Sequence, residues 1–122
     1  MTRIVDMKSG YQHIIPDAWV DTAAIFTALG DTHRQRILLL FDPGEQLTIS
    51  EIAEIVPLSR TAVNHHLQVL RTAGLLTSEK RGKAVYLSVN TDLLMRTFTM
   101  MADFVRAQQA PSTSEDSETP VR

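Results

Sequence analysis

Apolar residues recur along this chain in two rhythms, and the change of rhythm marks out its elements. The first 16 residues show weak periodicity and end at Pro16, which reads as a loose or partly helical arm. From Asp17 the spacing turns helical: Trp19, Ala23 and Phe26 recur at i, i+4 and i+7, with Val20 and Ala24 beside them. Gly30 and Asp31 interrupt. A second helix is predicted to about Phe41, with Ile37, Leu38, Leu40 and Phe41 on its apolar side. Asp42-Pro43-Gly44 then stops it, because proline cannot continue the hydrogen-bond ladder and glycine suits the turn.

Thr48-Ile49-Ser50-Glu51 has the spacing of a capping box, so a third helix should start there. Ile49, Ile52, Ala53 and Val56 give it one buried face, and Pro57 ends it. Ser59 suits the N-cap of a fourth helix that runs to about Ala73, with Val63, Leu67 and Leu70 as its apolar stripe. Gly74 stands where a left-handed residue is expected after the helix. The rhythm then shortens. Residues 75–79 and 84–89 are extended-type runs, and in the second Val85, Leu87 and Val89 alternate with Ala84, Tyr86 and Ser88. With Lys80-Arg81-Gly82-Lys83 between them, they read as a β-hairpin with a basic tip.

A last helix is predicted from about Thr91 to Gln109. Leu94, Phe98, Met101 and Val105 line one face, widened by Leu93, Met100 and Phe104. So wide an apolar surface in so small a domain calls for a second surface to cover it. Residues 110–122 are rich in Ser, Thr, Glu, Asp and Pro and read as a disordered acidic tail. The domain is therefore placed at residues 17–109, between the arm over residues 1–16 and that tail.

The predicted fold is mainly α with a small β-hairpin, in the order α-α-α-α-β-β-α. Two helices joined by Pro57-Leu58-Ser59 form a helix-turn-helix, and a hairpin directly after the second makes it winged. With Val63, Leu67 and Leu70 turned inward, the fourth helix exposes Arg60, Thr61 and Asn64. These are a guanidinium, a hydroxyl and an amide, groups that read guanine and adenine edges or hold phosphates. Arg71 lies further along, near backbone reach. Lys80, Arg81 and Lys83 are set to contact phosphate or a minor groove.

Charge supports this reading only once it is divided along the chain. The net charge is −2. Residues 1–56 carry four basic groups (Arg3, Lys8, Arg34, Arg36) against eight acidic ones, whereas residues 57–90 carry Arg60, Arg71, Lys80, Arg81 and Lys83 against Glu79 alone. One segment is basic and the rest offsets it. The absence of cysteine excludes disulfides, thiolate metal sites and a cysteine nucleophile, and fits a cytoplasmic protein. No apolar run approaches the roughly 20 residues of a membrane span, and no signal-peptide pattern opens the chain.

ALGDTHRQRILLLF (28–41), LTISEIAEIVPLSRTAVNHHLQVLRTAGLL (47–76) and RGKAVYLSV (81–89) resemble the ArsR/SmtB family of winged-helix transcriptional repressors. The resemblance covers about residues 20–105. It implies a homodimer held by the first and last helices and bound to a palindromic double-stranded operator. Trp19, Ala23, Phe26, Leu94, Phe98, Met101 and Val105 would then form the dimer interface. It also implies that Ser59, Arg60, Thr61, Asn64 and His65 face DNA, although Asn64 stands where the family pattern has serine. Thr48 and Ser50 stand where metal-sensing members place cysteines. Asp92 is followed by Leu93 and Leu94, and no histidine follows His66. The family's usual metal sites and cysteine switches are therefore not expected, and neither is a cofactor.

The adjacent pair His65-His66 invites a metal reading, but neighbouring helical residues point about 100° apart. His65 is instead expected beside Asn64 on the DNA side, and His66 to brace the helix against its neighbour. His33 is expected to cap or cover the second helix, and His13 lies in the arm. No acid–base pair, nucleophile set or phosphate-cradling loop points to an enzyme. The expectation is a repressor released by a small-molecule or protein effector, through a trigger that is neither cysteine nor metal. The alternatives are a constitutive autorepressor without effector, and a winged-helix protein-interaction module.

Overall fold

The computed structural model describes residues 17–118, with side chains from Trp19 to Gln109. The arm expected over residues 1–16 lies outside the described residues, as do residues 119–122. The chain divides into two compact units after Asn90.

The first unit runs α1 (Asp17–Leu29), α2 (Thr32–Leu38), β1 (Leu47–Thr48), α3 (Ile49–Ile55), α4 (Arg60–Thr72), β2 (Leu76–Arg81) and β3 (Ala84–Val89). This is the winged helix-turn-helix order with one strand added. The hairpin does not stand alone: β1 pairs antiparallel with β3, Leu47 opposite Leu87 and Thr48 opposite Tyr86, giving a sheet ordered β1-β3-β2. Two residues carry no period, and their partners lie far along the sequence, so β1 has no local signature.

Local chemistry sets most boundaries. Asp31 caps α2 by accepting from the N–H groups of His33 (2.8 Å) and Arg34 (3.2 Å). Thr48 and Glu51 form a reciprocal capping box on α3: Thr48 Oγ1 accepts from Glu51 N at 3.1 Å, and Glu51 Oε1 accepts from Thr48 N at 2.8 Å. Ser59 Oγ accepts from Ala62 N at 3.1 Å at the start of α4. At its end, Leu75 N donates to Leu70 O (2.9 Å) and Gly74 N to Arg71 O (3.0 Å), the paired bonds of a Schellman motif. That motif requires a left-handed residue, supplied by Gly74 with φ 85°.

Two helix ends differ from expectation. α2 stops at Leu38 rather than near Phe41. Leu40 N and Phe41 N bond to Ile37 O and Leu38 O, so the last turn tightens to three-residue bonds before Asp42, whose helical conformation Pro43 disfavours. The final helix, α5 (Thr91–Glu118), continues past Gln109 through the segment expected to be a disordered tail.

The core of the first unit comprises Ile25, Ala28, Ile37, Leu47, Ile52, Val63, Leu67, Leu70, Leu75, Leu76 and Leu87. Each fully buried aliphatic side chain contributes about 1.5–3 kcal/mol. α4 sits at the centre of this packing, in contact with α1, α2, α3 and β2. On α1 the buried line is Thr22, Ile25 and Ala28, not the stripe most visible in the sequence: Trp19 is half-buried, and Ala23 and Phe26 are exposed. In the second unit, Phe98, Phe104, Val105 and Met95 are exposed, while Leu94 and Met101 are half-buried.

Candidate nucleic-acid interface

Burial of Val63, Leu67 and Leu70 fixes the rotation of α4. That rotation exposes Arg60, Thr61 and Asn64, expected from the apolar stripe, and His65, expected from the family resemblance, together with Gln68. Gln68 lies seven residues from Thr61, two turns along the same face, and donates to Thr72 Oγ1 at 3.1 Å. The signal was available as a polar i, i+7 pair. Ser59 is exposed, but its hydroxyl is already engaged as the N-cap. Arg71 is half-buried and donates to Ser78 Oγ of β2 at 3.2 Å, tying the helix to the wing.

The wing turns through Gly82 and Lys83, so Lys80 and Arg81 belong to a strand rather than to the tip. Gly82 has φ 62° while Lys83 keeps a negative φ, the pattern of a two-residue II′ turn. Its three cations differ in state. Arg81 Nη2 donates to Glu79 Oε1 at 2.9 Å and to Gln46 Oε1 at 2.7 Å, and its guanidinium lies 4.5 Å from the centre of the Tyr86 ring. The Arg81 hydrogen bond and charge hold the Glu79 carboxyl below the usual carboxylate range, and the Glu79 bond raises Arg81 in turn. Gln46 also donates to Ser88 Oγ at 3.3 Å. Its role depends on the fold and leaves no trace in local sequence. Lys80 and Lys83 are exposed, and among the described residues neither forms an ion pair.

A different arrangement occupies the opposite flank of α4. Arg34 donates through Nε to Ala28 O (2.8 Å) and through Nη2 to Thr27 O (3.2 Å), and Gln35 Nε2 donates to Leu29 O (2.6 Å). Two side chains of α2 thus satisfy the open carbonyls at the end of α1, where a cation also suits the helix dipole. Arg34 Nη1 lies 3.1 Å from His66 Nδ1, so the guanidinium donates and the neutral imidazole accepts. The His33 and His66 rings are 5.6 Å apart and those of His65 and His66 5.7 Å. His66 braces α4 against α2. Burial pushes its imidazole below the ordinary value, and Arg34, His33 and His65 push the same way against the pull of Asp31. Burial raises the Asp31 carboxyl, but the hydrogen bonds from Arg34 and His33 and the Arg34 charge outweigh it, leaving Asp31 lowered.

Among the described residues, two concavities stand out beside α4. One, of about 460 Å³, is lined by Thr48, Ile49, Ser50, Arg60, Lys83, Ala84 and Val85. The other, of about 350 Å³, lies between α1 and α4 and is lined by Ala24, Thr27, His65, Gln68, Val69, Thr72 and Ala73. His65 therefore borders α1 as well as the exposed face. Among the described residues, no group of three or more His, Asp or Glu side chains gathers to hold a metal ion.

The profile of a family described as "Helix-turn-helix domain" matches residues 29–79, from the end of α1 to β2. The transcriptional repressor SdpR of Bacillus subtilis is 32% identical over 66% of this chain and 89% of its own length. A transcriptional repressor SmtB homolog of Synechocystis is 29% identical over 69% of this chain and 63% of its own. Among solved structures, an ArsR-like transcriptional regulator from Rhodococcus superposes with a TM-score of 0.75 at 23% identity, covering 85% of this chain and 97% of that one.

Proposed function

Since the chain belongs to the ArsR/SmtB family of winged helix-turn-helix regulators, we propose that it acts as a homodimeric repressor on a two-fold symmetric operator. It is a DNA-binding transcriptional regulator. α4 enters the major groove and the wing meets the flanking backbone, with the two copies of α4 about 34 Å apart on successive grooves. The observation that carries this reading is the polar row Arg60, Thr61, Asn64 and Gln68, held outward by a fully buried stripe beside a wing with unpaired lysines. Dimerisation is supported by apolar side chains that the fold leaves uncovered, Val20 and Phe26 on α1 and Phe98 and Val105 on α5, each set taken to meet the second copy. Among the described residues no helix is long and apolar enough to cross a membrane, in keeping with action on cytoplasmic DNA. We assign it no catalytic role, and the cysteine-free sequence leaves its release to an effector that binds without thiol chemistry.

A mobility-shift assay with duplex from the gene's own upstream region tests the reading. The expected result is a discrete complex at low salt that weakens steeply as salt rises. Absence of any complex overturns it. Sedimentation of the free protein tests dimerisation, and a monomer at micromolar concentration removes that half of the proposal.

A further inference from the structure

Arg60 belongs to the first turn of α4, and Lys83 to the turn of the wing, yet both line one concavity of about 460 Å³. Thr48, Ile49, Ser50, Ala84 and Val85 complete its lining. Among the described residues neither Arg60 nor Lys83 has an ion-pair or hydrogen-bond partner for its side chain. This sets them apart from Arg34, Arg71 and Arg81, each engaged inside the protein. Two free cations from separate elements that line one recess suit a group with concentrated negative charge and several acceptor oxygens.

The rotation of α4 points the same way. Arg60 precedes Val63 by three residues, which places it only about 60° around the helix from that fully buried side chain. Thr61 and Gln68 lie nearer the middle of the exposed face. The residue best placed to enter a groove is therefore not Arg60, which flanks the exposed face on the side of α3 and the wing.

We propose that Arg60 and Lys83 together clamp one phosphate of the DNA backbone in this recess, and that sequence is read by Thr61, Asn64 and Gln68. The inference rests on the DNA-binding reading above and assigns its division of labour. Arg60 and Lys83 hold one phosphate between α4 and the wing, a backbone contact that adds affinity and carries no sequence information of its own.

The test uses the full chain and the duplex that it selects from a random-sequence library, with a scrambled duplex of equal length as reference. Fluorescence anisotropy is read across a salt series for wild type, Arg60→Ala, Lys83→Ala, the double variant and Gln68→Ala. Arg60→Ala and Lys83→Ala are each expected to weaken both duplexes by roughly tenfold or more, leaving the preference between them unchanged. The double variant should lose about one phosphate from the salt slope per protomer rather than two. In duplexes with single neutral methylphosphonate linkages, one position per half-site should remove the penalty of both substitutions. Gln68→Ala should instead erode the preference.

Loss of preference in Arg60→Ala, or sensitivity of the two variants to different methylphosphonate positions, overturns the clamp while DNA binding stands. Failure of the library to yield any enriched duplex overturns the DNA-binding reading itself. Inorganic phosphate titrated into DNA-free protein, followed by backbone amide shifts, separates the other source of the same chemistry. Saturable, submillimolar binding at Arg60 and Lys83 would make the recess a small-anion site and overturn the backbone assignment; weak, unsaturated shifts support it.

Discussion

The two flanks of α4 are both basic, yet they use their charge in opposite ways. Toward α1 and α2, the Arg34 guanidinium is committed to two carbonyls of α1 and to His66, all within 3.2 Å. Toward α3 and the wing, Arg60 and Lys83 border an open recess, with no partner among the described residues. The wing repeats the contrast on a smaller scale, since Arg81 is held by Glu79, Gln46 and Tyr86 while Lys83 is not. A count of basic residues does not distinguish these roles. What separates them is whether a carbonyl, carboxylate or ring lies within reach, because a cation already satisfied gains little from a phosphate.

The contrast can be broken most severely by removing what both flanks rest on. Leu67→Ala deletes a buried side chain of the stripe and should cost about 2–5 kcal/mol, read as a lower midpoint in urea with the slope little changed. DNA binding and stability should then fall together. Arg34→Ala sharpens the contrast, because it leaves the carbonyls of Thr27 and Ala28 short of a donor and should cost about 1–3 kcal/mol. Arg60→Ala should leave stability within about 0.5 kcal/mol while weakening DNA binding. Equal stability losses for the two arginines, in the same melt, would dissolve the distinction between flanks.

A pH series probes the Arg34 flank alone. The folded state holds a proton on His66 less readily than the unfolded chain does, whose ordinary value is 6.5. Its contribution is therefore full above 6.5 and is lost as pH falls through the lower folded value. Protonation also turns the Nδ1 acceptor into a donor facing Arg34. Thermal melts should show a decline below pH 6.5 that His66→Gln reduces, and an unchanged decline in that variant would assign it to other groups. The smallest effect belongs to Arg81→Ala, which should leave the salt slope of DNA binding almost unchanged where Lys83→Ala lowers it. Fluorescence anisotropy of the two variants side by side reads this difference.

Much of this arrangement was legible in the sequence because it depends on neighbours a few residues apart. The Thr48–Glu51 box, the Ser59 cap, the Gly74 terminus and the Gly82 turn all satisfy backbone groups locally, so residue types at fixed spacing announce them. The exposed row on α4 followed from the period of its buried stripe. The visible α1 repeat, Trp19, Ala23 and Phe26, is not the buried line of the single chain, which is Thr22, Ile25 and Ala28. Small and polar side chains hide a buried line that large ones advertise.

Sequence by itself determined the order of helices and hairpin, the rotation of α4 and the segregation of basic charge, each set by interactions over a turn or two of chain. Tertiary structure alone decided that Leu47 and Thr48 pair with β3, that Arg34 caps α1, that Gln46 holds Arg81, and that Arg60 and Lys83 line one recess. Those contacts join residues separated by loops whose paths no periodicity encodes. Only the packed core brings them within the few ångströms over which hydrogen bonds and opposed charges act.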